Sequence, residues 1–298
     1  MKSYLLRTGF KLFSYLPLIF SHTIARVGAF FIVKSKTHLY QKVHCNIKAC
    51  FKDLCEQEQE KLIHDSIISY LQTFLELPAI WLKPQEKVLS YINHVEGFDQ
   101  VKTALKQEKG LIILTPHMGC WEILPHFLSS HLNLTCLFKP LKQPTINQLI
   151  YASRKKSGVQ LAPISASGLK SLYKALEDKN SIGLLPDHDP GEKGSLFVPF
   201  FGIQTRTMTF AHRIAIHSGA PTFWAYAIRM ADGNGYQLYF KPASEAFFQQ
   251  DPRLALTAMN QDIQSIVEHA PAQYEWGAKR FRARPDNEPP FYPQRRKS

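Results

Sequence analysis

The segment Leu111–Glu122 reads LIILTPHMGCWE and holds the residue types best suited to chemistry. Leu111 to Leu114 is a short apolar run of the kind that forms a buried parallel strand. Thr115 and Pro116 end it. His117 follows in the loop, and Glu122 comes five residues later, in the first turn of an expected helix from Cys120 to Leu128. Five positions do not stack on one helical face, so the two side chains can meet only if the chain bends between them. A buried carboxylate on one ring nitrogen fixes the imidazole tautomer and raises the basicity of the other. Such a pair is a general base for a hydroxyl nucleophile, as in acyl transfer. A histidine at a strand end is more often structural or solvated, so the segment needs support from elsewhere. Cys120 is a rival nucleophile, but its side chain falls where helix packing would take it.

Leu184–Gly194 reads LLPDHDPGEKG. Asp187, His188 and Asp189 emerge where a strand ends, and ligands meet open α/β sheets at the carboxyl ends of strands. The two aspartates could orient His188, bind a metal or hold basic side chains; the plain alternative is a turn whose carboxylates cap backbone N–H groups. His-x-Asp without further clustered His or Cys is poor metal evidence, and no metal is assigned. Phe197–Phe201 followed by Gly202 is apolar but contains Pro199, which does not suit a central strand. Phe197, Phe200 and Phe201 are candidates for the wall of an acyl-chain pocket, or else core packing under a loop. Lys139, Lys142, Arg154, Lys155 and Lys156 form a basic group that would serve a thioester carbonyl or a phosphate through charge-assisted hydrogen bonds, or would simply be a solvated helix face. Lys279–Arg284 (KRFRAR) adds basic residues beside Tyr274 and Trp276, a mixture suited to nucleic acid or an anionic lipid surface.

Those side chains must be positioned by a chain of 298 residues, 45% hydrophobic and 20% charged, which is globular in composition. Its net charge of +12 implies anionic partners. The cysteines Cys45, Cys50, Cys55, Cys120 and Cys136 make no CxxC pair or zinc spacing and read as free thiols in a reducing compartment. The first 52 residues carry nine Lys or Arg and no Asp or Glu. Phe10–Val33 as one helix would be ~36 Å long, enough to cross a bilayer. His22 and Arg26 near its middle argue against a comfortable span, and an interfacial amphipathic anchor fits equally. A signal peptide ending near Ala25 and a buried helix of a soluble domain are the other readings. With no recognised nucleic-acid motif and a basic N-terminus joined to an apolar helix, the membrane is the better partner, and the following lysines place the rest on the cytoplasmic side.

Residues 37–83 read as helical, with Pro78 and Pro84 punctuating the end. Tyr91–Val95 is a possible strand and Asp99–Gln107 a helix. A βαβ rhythm then runs through strands at Leu111–Leu114, Thr135–Phe138, Ser181–Leu185 and Thr222–Ile228, with helices at Trp121–Leu128, Thr145–Ser157, Ala166–Asp178 and Thr209–Ser218. Tyr236–Pro242 returns as an antiparallel strand and Arg253–His269 is a last helix. This alternation predicts an α/β fold, a mostly parallel mixed sheet flanked by helices. The expected organisation is a hydrophobic, basic membrane anchor over residues 1–36 and a cytoplasmic catalytic domain over 37–298.

The pattern resembles the bacterial lipid A biosynthesis acyltransferases. The matching residues are His117 and Glu122 (a His-x4-acidic motif), Arg154, Pro186-Asp187-His188-Asp189, Gly191, and Phe197 to Gly202. Further matches are Gly235-Tyr236, Met259-Asn260, Pro271, Gln273-Tyr274, Trp276, Lys279-Arg280-Phe281 and Arg284-Pro285. The His-x4-acidic motif is shared with glycerolipid acyltransferases; the PDHD and QYEW–KRF blocks are more specific. Cys120 stands where the family commonly has Asn, and Gly277-Ala278 occupies a stretch that often holds a His. The resemblance implies a glycerolipid-acyltransferase-like fold and transfer of a fatty acyl group from acyl carrier protein to the 3-hydroxyl of an acyl chain on the phosphorylated precursor Kdo–lipid IVA. It implies His117 as base, Glu122 as its carboxylate, Arg154 as oxyanion donor or phosphate ligand, no cofactor, and a place at the inner membrane facing the cytoplasm. A glycerolipid acyltransferase with the same dyad, or a non-catalytic basic protein of membrane surfaces or nucleic acid, are the alternatives.

Overall fold

Five helices precede the sheet. The computed structural model describes residues 2–140, 143–286 and 288–293, with side chains from residue 6 onward. α1 (Lys2–Tyr15) and α2 (Leu18–Lys34) do not form the single straight helix expected over Phe10–Val33: they meet at an angle of 118°. Pro17 is the cause. It has no N–H to continue the ladder of α1, and its ψ of 147° is extended. Among the described residues no single helix is long and apolar enough to cross a membrane, though the bent pair together has the length and composition.

α2 is apolar on two faces. Ala25 and Ala29 are fully buried, and its inward side packs on α4 (Glu56–Leu82). Its outward side exposes Ile19, Phe20, Ile24, Val27, Phe30 and Phe31. The continuous helical reading of 37–83 divides into α3 (His38–Cys50) and α4. Glu58 starts the second by accepting from the Cys55 backbone N–H at 2.8 Å. Pro78 lies inside α4 and does not stop it. Lys83 does, held extended by the proline that follows it.

The rest alternates. After α5 (Gln85–Leu89) come β1 (Ile92–Glu96), α6 (Phe98–Leu105), β2 (Leu111–Leu114), α7 (Leu124–Ser129), β3 (Leu134–Phe138), α8 (Pro144–Lys156), β4 (Gln160–Pro163), α9 (Ala166–Glu177) and β5 (Ser181–Leu184). Then follow β6 (Ser195–Phe200), β7 (Ile203–Met208), α10 (Phe210–Ser218), β8 (Thr222–Arg229), β9 (Tyr236–Pro242) and α11 (Pro252–His269). Seven strands form one sheet in the order β1-β9-β8-β2-β5-β3-β4, parallel except for the β8–β9 pair. This is the mixed, mostly parallel sheet that the rhythm predicts. β2 is central and buried on both sides. Ile112 and Leu114 join one core, Leu111 and Ile113 the other, as the two-residue period of a strand requires.

β6 and β7 form a separate hairpin. Phe201 (φ 49°) and Gly202 (φ 71°) make its two-residue turn, both in the left-handed region that tight hairpins use. Pro199 sits in this ribbon, outside the main sheet, where a missing N–H is tolerated.

Candidate active site

β2 and β5 are parallel neighbours with Leu114 opposite Leu184, and each runs into the same kind of exit, one residue and then a proline. His117 lies three residues beyond Leu114, and Asp187 three residues beyond Leu184. The two therefore leave the sheet at the same height. Thr115 N–H donates to the Leu184 carbonyl at 2.9 Å, keeping the strands paired up to the loops. Asp187 then takes two hydrogen bonds from one residue: the His117 backbone N–H at 2.8 Å and the ring Nδ1 at 2.7 Å. The carboxylate is fully buried, while the His117 side chain is 15% exposed. Nδ1 is thus the protonated nitrogen and Nε2 the free base.

Burial works against the Asp187 charge, but His117 beside it holds the carboxyl well below the usual carboxylate range. Burial would likewise depress the His117 pKa. The Asp187 charge and hydrogen bond, with Glu275 and Glu122 farther out, reverse this and raise it. The Tyr274 phenol is pushed well up by burial and then by Asp187, so it stays a donor.

The carboxylate on the histidine ring is therefore Asp187, which corrects the expected pairing with Glu122. Glu122 reaches His117 only through space. Its oxygens accept from Arg154 Nη2 at 2.6 Å and from Trp81 Nε1 at 3.0 Å. The bend between His117 and Glu122 is real, but it turns the carboxylate toward α4 and α8. Gly119 (φ 56°) makes the turn; a Cβ there would lie 1.9 Å from the Ala227 carbonyl oxygen. Met118 bridges to Tyr274, and a short 3-10 turn over Trp121–Ile123 precedes α7. Burial opposes the Glu122 charge, and Arg154 restores it, leaving the pKa lowered. Arg154, expected as an oxyanion donor or phosphate ligand, spends its Nη2 on Glu122.

The PDHD segment divides its labour. His188 stacks flat on His117, with ring centroids 3.7 Å apart and planes within 2°. Its Nε2 lies 3.3 Å from a carboxylate oxygen of Glu275, whose backbone N–H donates to the His117 carbonyl at 3.0 Å. Asp189 accepts from the Gly191 N–H at 2.8 Å, a loop-closing role. His117, His188 and Glu275 offer ligand atoms within 4.8 Å of one another. The stack disfavours a shared ion, because the ring lone pairs lie in parallel planes and do not converge.

Trp121 meets the His117 ring edge-on at 4.9 Å. Next to it Tyr70, Phe74, Trp121 and Tyr274 wall a hollow. None of Phe197, Phe200 and Phe201 lines it. Phe200 is buried against Tyr274 and Phe281, Phe201 packs on Phe51 and Trp276, and Phe197 lies under the Arg206 guanidinium. Lys142 lies outside the described residues. Cys120 is fully buried and its thiol pKa is raised well above normal, first by burial, so it is no nucleophile. Sequence reasoning did not weigh Glu275 or the Trp81 clamp on Glu122. The pairing of His117 with Asp187 had a signal: two apolar tetrads with identical proline exits, LIIL-T-P-H and SIGL-L-P-D.

Residues 3–283 match the family described as bacterial lipid A biosynthesis acyltransferase. The chain belongs to that family. Among its relatives are two proteins of Escherichia coli K12. The lipid A biosynthesis palmitoleoyltransferase is 28% identical over 248 residues, covering 83% of this chain and 80% of the relative. The lauroyltransferase is 28% identical over 251 residues, covering 84% and 81%. The solved 1-acyl-sn-glycerophosphate acyltransferase of Thermotoga maritima aligns over 85% of this chain and 98% of its own, with 13% identity and a TM-score of 0.38. This lipid A acyltransferase thus carries its His-x4-acidic motif on two separate carboxylate contacts, His117–Asp187 and Arg154–Glu122.

Proposed function

We propose that the enzyme transfers a fatty acyl group from acyl carrier protein to the 3-hydroxyl of an acyl chain on Kdo–lipid IVA. The His117–Asp187 pair carries this reading. His117 Nε2 takes the proton of the acceptor hydroxyl, and the oxygen attacks the thioester carbonyl. The C–S bond of the resulting tetrahedral adduct then breaks. The thiolate leaves with the proton that His117 returns, and no acyl-enzyme or cofactor is needed. Asp187 holds the ring in the right tautomer and stabilises the imidazolium. Glu122 and Arg154 brace the loop, and Glu122 adds negative charge through space.

The enzyme works at the cytoplasmic face of the inner membrane, resting on the outward side of α1 and α2. Two features support this: the exposed run from Leu12 to Phe31 and the basic residues on either flank. A helix pair bent by 118° suits lying in the interface.

Mass spectrometry of lipid A from cells with and without the gene tests the reaction. Loss of one secondary acyl chain is the expected result. Unchanged lipid A with altered phosphatidic acid would point instead to a glycerolipid acceptor.

A further inference from the structure

A cationic cleft opens from the back of the His117–His188 stack. His188, Asp189, Lys279, Arg280 and Arg282 line its inner part. Asp189 and Arg282 also line its outer part, a space of about 540 Å³, together with Lys139, Arg206 and Arg284. Six basic side chains thus share the cleft with one lining carboxylate, Asp189. Arg284 is partly neutralised by Glu288. Among the described residues the other five basic groups lie within ion-pair distance of no carboxylate.

The innermost cation is the most telling. Arg280 is 4% exposed. Its guanidinium donates to the Arg206 carbonyl, to Thr207 Oγ1 at 3.2 Å and to Asn260 Oδ1 at 3.4 Å, and its buried Nε has no partner. All its hydrogen-bond acceptors are neutral, and Asp187 and Asp189 reach it only through space; such a buried charge is costly, and a bound anion would compensate it.

We propose that this cleft is a phosphomonoester-binding subsite that seats the phosphorylated end of the acceptor lipid while the acceptor hydroxyl reaches His117. Three arguments choose this ligand. The site is concave, which suits a compact dianion better than the convex acidic face of a carrier protein. Its donors are mostly arginines, whose planar forks match phosphate oxygens in pairs. It is continuous with the catalytic stack through His188, so one substrate can occupy both. The assignment of the lipid as ligand rests on the acyl-transfer reading above; the affinity for phosphate does not.

Two measurements on the full-length, detergent-solubilised enzyme test it. The first is calorimetric titration with inorganic pyrophosphate of the wild type, R282Q and K139Q, neither side chain having a polar partner among the described residues whose loss would unfold the protein. Wild-type binding, weakened about tenfold or more in each variant, is expected for the loss of one charge-assisted contact. The second is the ratio of kcat/KM for the phosphorylated acceptor to that for its dephosphorylated form. That ratio should fall by about tenfold or more in each variant, with the KM for acyl-loaded carrier protein unchanged. Equal wild-type use of both acceptors would overturn the proposal, as would a rise in the carrier-protein KM alone, which would make the cleft a protein dock. Pyrophosphate binding that is lost in the variants, in an enzyme with no acyl transfer to either acceptor, would keep the anion site and refute the proposed reaction instead.

Discussion

A histidine becomes a base through what its second nitrogen touches, and here two carboxylates compete for that part. Asp187 touches Nδ1; Glu122 acts from a distance while neutralising Arg154. Their loss should therefore read out differently. His117→Ala should lower turnover at least ~100-fold in a folded protein. In Asp187→Asn the His117 pKa should drop. Because neutral His117 is the active form and its pKa is raised in the wild type, activity falls as pH decreases through that raised value. The acid limb of the kcat/KM profile should move to lower pH in the variant while the plateau also falls. Glu122→Gln should move that limb less and cost stability instead, about 3–5 kcal/mol, because it strands the Arg154 guanidinium. An acid limb shifted more by Glu122→Gln than by Asp187→Asn would restore the original pairing. The sequence singled out His117, Glu122, Arg154 and Asp187 but not how they pair. A His-x4-acidic spacing says nothing of a left-handed glycine between its ends, and the ring's partner lies in the loop after another strand, seventy residues away.

At the scale of elements, legibility followed burial pattern. β2, β5 and β8 are apolar runs read nearly to the residue, because a central parallel strand is buried on both faces. β4 (Gln160–Pro163) and both hairpin strands, β6 (Ser195–Phe200) and β7 (Ile203–Met208), were missed. β4 is a short edge strand with only Ala162 well buried, β6 carries Pro199, and the buried positions of β7 are the polar Thr205 and Thr207. The N-terminal helix was read too long because composition does not report a bend at one proline. That bend has a functional consequence. α1 and α2 turn one apolar side outward, yet α2 also gives His22, Ala25 and Ala29 to the core. Deleting it would damage the fold, so surface substitutions test the membrane role better. Phe20→Asp with Phe31→Asp removes two outward aromatics, each worth about 1.5–3 kcal/mol of apolar burial. Partition onto anionic vesicles should fall at least about a hundredfold, with the melting temperature little changed. Undiminished membrane binding would mean that another surface makes the contact.

At the scale of the whole molecule, one buried charge network joins the N-terminal helices, the sheet and the catalytic loop. Glu76 of α4 is fully buried and accepts from Arg229 of β8 at 2.6 and 2.8 Å and pairs with His22 of α2 at 2.6 Å. Burial raises the Glu76 pKa, but Arg229 first and His22 after it bring it below normal, so the carboxylate is charged. Arg229 Nη2 also donates to Thr73 Oγ1 at 2.8 Å, whose hydroxyl lies 3.0 Å from the Gly119 carbonyl. The Gln273 side chain brackets the Arg229 backbone with bonds of 2.8 and 2.9 Å, and the Gln273 backbone carbonyl accepts from Gly119 N–H. Gly119 is the pivot of the loop that carries His117, so the network has two tasks, stability and loop placement. Double variants separate them. Arg229→Met strands the Glu76 carboxylate and should cost about 3–5 kcal/mol in chemical denaturation. Adding Glu76→Leu removes the stranded charge and should recover most of that loss, a coupling that a double-mutant cycle reads directly. Turnover should not recover with it, since neither Met nor Leu can hold Thr73 in place. A double variant that regained both stability and turnover would reduce the network to a structural ion pair, with the catalytic loop held by Gln273 and the strand ends alone.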